Sequence, residues 1–378
     1  MNSNPNHGNS RKENQMNVIT NAMNRPDWMP APDYRRLLTT IRHEEPDRVP
    51  IAELGIDPPI KAKILGRPVR TVADDVECWY RAGYDYIYLR PAYEFPHTMP
   101  GNMTTGQPKY GQTEEREEKS VPMTEAGVIQ TMADLDGYPW PDPTCEAYYQ
   151  PLTETAQCLP SGMGLISGVG GIFTRAWMLL GFERFCMALS EDPELIAELF
   201  RRISAIQIAV LKRVIKQPGL IAVWYGDDLA YTESFMVSPA VYRKYLFPHM
   251  EEMAGIAHRA GLPFMYHTDG KLWDVIPDLI ALGVDALHPI EPKAMDINEV
   301  KRRHGKDLAL IGNIDPNLLG LGTAEQVRAQ VRQRIKDLAP GGGYAVGVSP
   351  CVPLNAPMEN YEAMRRCVFE NGVYPIKP

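Results

Sequence analysis

The chain has 378 residues, 39 of them Lys or Arg and 47 Asp or Glu, for a formal charge of −8 at pH 7. That acidic balance excludes a basic nucleic-acid binder. Apolar residues make up 44% and charged residues 23%, ordinary values for a globular protein with a substantial core, and no apolar run is long enough to predict a membrane span.

Residues 1–28 are rich in Asn, Ser and Pro and lack periodicity, which predicts a disordered extension with no apolar core of a secretory signal. A single domain is expected over 29–378. Eight short apolar runs follow: 49–55 (VPIAELG), 84–91 (YDYIYLRP), 164–171 (GLISGVGG), 220–228 (LIAVWYGDD), 263–270 (PFMYHTDG), 285–292 (DALHPIEP), 308–315 (LALIGNID) and 344–350 (YAVGVSP). Each reads as a buried strand. Amphipathic stretches lie between most of them, among them DPELIAELFRRISAIQIAVLKRVIK, SPAVYRKYLFPHMEEMAGIAHRA and TAEQVRAQVRQRIKDLA, each opened by a capping Asp, Ser or Thr. Eight such alternations predict an α/β fold, a (β/α)8 TIM barrel. One connection is oversized: residues 92–160, between the second and third strands, carry the charged run TEEREEK and the turn-rich YPWPDP and are expected to form a lid or insertion over the barrel mouth.

The six cysteines, at 78, 145, 158, 186, 351 and 367, show no CxxC pairing, which suits reduced thiols and a cytoplasmic location. No GxGxxG follows the first strand and no GxxxxGK[ST] occurs, which argues against nucleotide chemistry.

Polar and small residues gather at the expected strand ends, in GDD, HTDG, IEP, NID and SPC, where a barrel builds its active site. His267 and Asp269 follow the fifth strand, Glu291 the sixth and Cys351 the eighth. One imidazole, one thiolate and one or two carboxylates make a tetrahedral zinc set. Taken singly, each also fits a plainer role, since a strand-end His is commonly a hydrogen-bonded core residue and a lone Cys a small buried hydrophobe.

The stretches RRLLTTIRHEEPDRVP (35–50), YPWPDP (138–143), GDD (226–228) and DALHPIEP (285–292) resemble the uroporphyrinogen decarboxylase superfamily over roughly residues 33–375. That superfamily holds true decarboxylases and corrinoid-dependent methyltransferases, and the related barrel of cobalamin-independent methionine synthase shares the zinc arrangement. The decarboxylase signature resembling MRQAGRY is missing: the corresponding stretch reads IAELGIDPPIKAKILG, with few arginines for a substrate bearing many carboxylates. The methyltransferase branch carries His-x-Cys after one strand and Cys after the last, and methionine synthase adds a Glu. This sequence matches at His267, Glu291 and Cys351, but has Asp269 in place of the first Cys.

A zinc with one thiolate and oxygen ligands stays electrophilic and suits polarising an ether oxygen. The resemblance therefore implies O-demethylation: methyl transfer from an oxygen-linked donor, such as a methoxylated aromatic, to the Co(I) of a corrinoid delivered by a separate corrinoid protein. Asp228, Asp227, Tyr225 and Glu53 are candidates for the assisting acid or for gripping the substrate; only one of the adjacent pair Asp227 and Asp228 is expected to enter the cavity. Trp224, Tyr231, Tyr266 and Asn313 are candidates for binding a small methylated substrate. Phe235, Trp273 and Asp315 lie near the same ends. The resemblance also implies a homodimer. Two alternatives stand beside it: a metal-free decarboxylase, and a non-catalytic corrinoid-binding barrel.

Overall fold

The computed structural model describes residues 25–96 and 127–376. Seven parallel strands pair strictly in chain order: Tyr86–Leu89 (β1), Gly164–Gly170 (β2), Leu220–Gly226 (β3), Phe264–His267 (β4), Ala286–His288 (β5), Ala309–Ile314 (β6) and Tyr344–Val348 (β7). Helices connect them, so the sheet is covered on its outer side and its strands read as continuous apolar runs. The fold is α/β, of the TIM-barrel kind. No helix among the described residues is long and apolar enough to cross a membrane.

The expected first strand is reduced to bridges. Ile51 pairs in parallel with Val346, and Ile56 with Val352. Pro50 has no N–H to extend the ladder, although its carbonyl accepts from Val346 N at 3.0 Å. Side chains do the rest. The Glu53 carboxyl takes the Val348 N–H at 3.0 and 3.1 Å. On the other flank the Tyr86 hydroxyl of β1 serves both the N–H and the carbonyl of Glu53, at 2.6 and 2.7 Å. Segment 49–56 is thus an eighth stave, held on the β7 side by backbone bonds such as Ala52 N to Val346 O at 2.8 Å and by the Glu53 carboxyl, and on the β1 side by the Tyr86 hydroxyl.

The helical expectations hold with one break. Asp192 caps Pro193–Val214, and Thr323 with Gln326 forms a capping box on Ala324–Leu338. The stretch 238–260 divides into Pro239–Tyr245 and Phe247–Arg259 because Pro248 cannot supply an N–H to the preceding turn. Two residues assigned to the disordered extension are docked: the Arg25 guanidinium donates to Tyr80 O at 3.2 Å, and Trp28 lies against Phe369, 5.9 Å between centroids. Residues 1–24 and the charged run of the 92–160 insertion lie outside the described residues. From the rest of that insertion, Trp140 packs edge-on against Tyr138 and Phe95. All six cysteines are free thiols.

Strand register sorts the side chains into two faces. Gly226 pairs with His267 and His267 with His288, while Tyr225 pairs with Tyr266. Neighbours in a parallel sheet share a face. The His267 and His288 face looks into the barrel, where Trp224 packs edge-on to Tyr88 and His288. The Tyr225 and Tyr266 face looks out, toward helix Ile172–Leu180.

Candidate functional site

A cavity of about 560 Å³ opens at the carboxyl ends of the strands, lined by residues from the ends of β3 to β7 and by helix Ile172–Leu180. Its lining includes the apolar and aromatic side chains of Trp177, Met178, Tyr231 and Met236. It also carries Asp228, Asp269, Glu291, Asp315 and Lys293.

At its floor three acceptors converge. Nε2 of His267, the last residue of β4, lies 3.8 Å from Asp228 Oδ1 and 3.9 Å from Asp269 Oδ2. Among the described residues this is the group whose ligand atoms all fall within 4.8 Å of one another. The loops beneath are tightly fixed. Asp269 N donates to Asp228 Oδ1 at 3.1 Å, and Leu229 N donates to Thr268 Oγ1 at 3.0 Å. Gly270 has φ +92, and a Cβ there would meet the backbone of Ala230 at 2.6 Å. Only glycine lets the loops after β3 and β4 approach this closely.

Electrostatics follow from crowding. Burial, then the charges of Asp228 and Glu291, push the Asp269 carboxyl well above the usual carboxylate range. Burial pushes the His267 imidazole down, with Asp228 opposing. Burial and the crowding of like charges thus disfavour a charged imidazole and a full set of ionised carboxyls.

Glu291 and Cys351 stand outside the three-atom group. Glu291 lines the cavity and accepts from Thr232 Oγ1 at 2.8 Å. Cys351 is buried with Sγ 4.0 Å from Asp57 Oδ1, and its thiol is pushed far up by burial and then by Asp57. Asp228, read from sequence as an acid rather than a ligand, takes the place beside His267 and Asp269.

Three candidates face away from the cavity. Asp227 is fully enclosed, accepting from Phe173 N at 2.7 Å, Thr174 N at 2.9 Å, Thr174 Oγ1 at 2.6 Å and the Tyr225 hydroxyl at 2.8 Å. It secures the first turn of helix Ile172–Leu180, whose preceding residue Gly171 has no side chain to cap with. Burial raises its pKa to about 6 against those bonds. Tyr225 serves the same cap. Tyr266 donates to Asp227 O at 2.7 Å. All three belong to the sheet-to-helix layer, because the twofold alternation of a strand turns them outward.

Glu53 lies in the barrel seam, not the cavity. Trp224 is buried inside the barrel, edge-on to His288 at 5.2 Å, and does not line the cavity. Asn313, at φ 72, donates to Ile290 O and braces the loop after β5, a left-handed position that Asn tolerates. Tyr231 does line the cavity, and Asp315 lines it while capping helix Pro316–Leu321. Phe235 packs on Tyr242, and Trp273 lies under the Arg303 guanidinium. Sequence reasoning passed over His288, which contacts His267 directly with 2.8 Å between the two Nδ1 atoms. The sequence signal available was only that it ends the buried run DALH; its register with His267 is seen in the structure. Trp177, Thr232 and Lys293 were also missed, since loop and helix residues carry no strand-end signature.

A model of the family described as uroporphyrinogen decarboxylase (URO-D) matches residues 98–370. Among curated proteins, the uroporphyrinogen decarboxylase of Coxiella burnetii is 23% identical over 195 residues, 50% of this chain and 51% of that protein. That of Streptomyces avermitilis is 28% identical over 253 residues, 64% of this chain and 66% of that protein. The chain thus spans about half the length of the first of these relatives. Among solved structures, a methyltransferase from Methanosarcina mazei superposes with a TM-score of 0.67 at 16% identity, covering 89% of this chain and 97% of that one. At that identity the likeness concerns the fold. The family model covers well over half of the sequence, and the chain belongs to the uroporphyrinogen decarboxylase family.

Proposed function

We propose that this protein is a corrinoid-dependent methyltransferase that removes a methyl group from an oxygen-linked donor, a methoxylated aromatic, and passes it to the Co(I) of a corrinoid protein docked over the barrel mouth. The observation that carries the reading is the convergence of His267 Nε2, Asp228 and Asp269 at an open cavity partly lined by apolar and aromatic side chains. An imidazole nitrogen and two carboxylates within reach of one another at a cavity floor make a cation-binding set.

Zinc fits the donor set. Zinc–ligand bonds of about 2.0–2.2 Å put neighbouring ligand atoms about 3.4 Å apart in a tetrahedron, and separations of 3.8 and 3.9 Å close to that with small side-chain rotations. His267, Asp228 and Asp269 would hold it, with Glu291 within the same cavity and Cys351 behind the Asp57 loop. Bound there, zinc supplies Lewis acidity toward the ether oxygen.

The chain's own residues do the rest. Trp177, Met178, Tyr231 and Met236 seat the aromatic ring and keep water from it. Lys293 offers a cation to the departing phenolate. The Thr232–Glu291 pair offers a hydrogen-bonding edge for ring substituents.

The decarboxylase reading is favoured by the names of the curated relatives. Against it, the cavity lining holds four carboxylates to one lysine among the described residues, a poor match to a polyanionic porphyrinogen. The test is the visible spectrum of cob(I)alamin mixed with protein and a panel of methoxyarenes, methanol and methylated amines. Methylcobalamin formation is expected with a methoxyarene. Silence across the panel together with turnover of uroporphyrinogen would reverse the order.

A further inference from the structure

We infer that His288 is a positioning residue that fixes the tautomer of His267, so that the bare Nε2 of His267 faces Asp228 and Asp269. The two imidazoles meet inside the barrel with Nδ1 to Nδ1 at 2.8 Å, rings tilted 38° and centroids 5.0 Å apart. A contact of that length contains one proton and one lone pair. The question is which ring donates, and the far end of His288 answers it. Its Nε2 lies 3.3 Å from Val348 O, and a carbonyl only accepts. His288 therefore carries its proton on Nε2, leaving Nδ1 bare, and the proton between the rings belongs to His267 Nδ1.

The opposite arrangement loses on distance. It would set the His288 Nε2 lone pair against the Val348 carbonyl. In exchange, it would point a His267 Nε2–H at carboxylates 3.8 and 3.9 Å away, beyond hydrogen-bond length.

The surroundings hold this pair in place. His288 is fully buried with Trp224 edge-on at 5.2 Å. Gly312, at φ +100, makes room for it, since a Cβ there would lie 3.1 Å from His288 Cδ2. Val348 is itself clamped, its N–H held by the Glu53 carboxyl. The chain Val348 carbonyl, His288, His267 thus runs from the barrel wall to the cavity floor. Partners of this sort, behind a ligating histidine, fix ring orientation and basicity and are worth about 10–100-fold in metal affinity. That consequence rests on the function proposed above; the tautomer itself does not.

The test separates the two. In metal-free protein, ¹⁵N spectra of the imidazoles read the tautomers directly: protonated Nδ1 and bare Nε2 on His267, and the reverse on His288, are expected. A protonated His267 Nε2 in the neutral ring overturns the inference, whatever the protein catalyses. Two variants extend it. His288→Asn places a carbonyl oxygen near the position of Nδ1 and keeps the acceptor; His288→Phe keeps a ring beside Trp224 and removes it. Zinc affinity is expected to fall about 10–100-fold in His288→Phe and to be restored to within a few-fold of wild type in His288→Asn, with the ¹⁵N spectra following suit. Equal affinity in all three proteins overturns the positioning role. If wild-type protein takes no zinc, the proposed function falls and the spectra still decide the tautomer.

Discussion

Asp227 and Asp228 are chemically identical neighbours at the end of β3, and they have opposite fates. Asp227 turns outward, receives four hydrogen bonds and secures a helix. Asp228 turns into the mouth, with its side chain 51% exposed and 3.8 Å from His267. The same contrast runs along β4, where Tyr266 braces the outer layer and His267 reaches the cavity floor. One peptide step separates a residue that holds the barrel together from one available for chemistry.

Substitutions can break this contrast, and the largest effect is expected at the floor. His267→Ala should lower methyl transfer to cob(I)alamin by about 10³-fold, with a drop in Tm because it leaves the buried His288 Nδ1 unpaired; a small loss of activity in the folded variant would dissociate the acceptor cluster from catalysis. Asp227→Ala should act mainly on stability. It strands the Phe173 and Thr174 N–H groups in the interior, for a cost of about 2–4 kcal/mol, read as a drop in Tm and in the denaturant midpoint. Retained stability would mean that the cap matters less than its geometry suggests.

A subtler comparison is between the ligands expected from sequence and those the floor brings together. Asp228→Asn should reduce zinc affinity by about 100-fold and Cys351→Ser by about 10-fold or less, measured by competition with a chromophoric chelator. The opposite ranking would restore Cys351 to the ligand set. The smallest effect belongs to the seam. Burial holds the Glu53 carboxyl well above its usual range, which favours its neutral form in the folded protein, and Glu53→Gln should cost under about 1 kcal/mol. An acid raised in the folded state leaves stability intact below its unfolded pKa and erodes it as pH climbs from there toward the folded value. Wild type should therefore lose stability on raising the pH above about 4.5 relative to Glu53→Gln, in paired urea titrations.

The barrel was legible because parallel strands are buried on both sides and leave continuous apolar runs, and because capping residues mark the helix starts. What failed to show was geometry carried by side chains. Pro50 and Glu53 sit in an apolar run that reads as a strand, yet it pairs only through isolated bridges, supplemented by a carboxyl and a tyrosine hydroxyl. For the site, alternation told that one of Asp227 and Asp228 would point inward, but not which. The sign depends on register with β4, which no local pattern contains. Tyr225 and Tyr266 were assigned to the cavity on type alone, and His288 was passed over because its role depends on a partner 21 residues away.

Val348 joins two features that would otherwise be unrelated. Its N–H is held by a residue 295 positions earlier in the chain, and its carbonyl meets the ring that orients His267. Closing the barrel and setting a proton on the correct nitrogen are thereby the same act. Residue 53 is synthesised early, but its carboxyl must wait for residue 348, so the cavity floor acquires its final hydrogen-bonding pattern only after a pairing 295 positions apart is made. A chain that collapses without that pairing can hold all three acceptors and still present the wrong nitrogen.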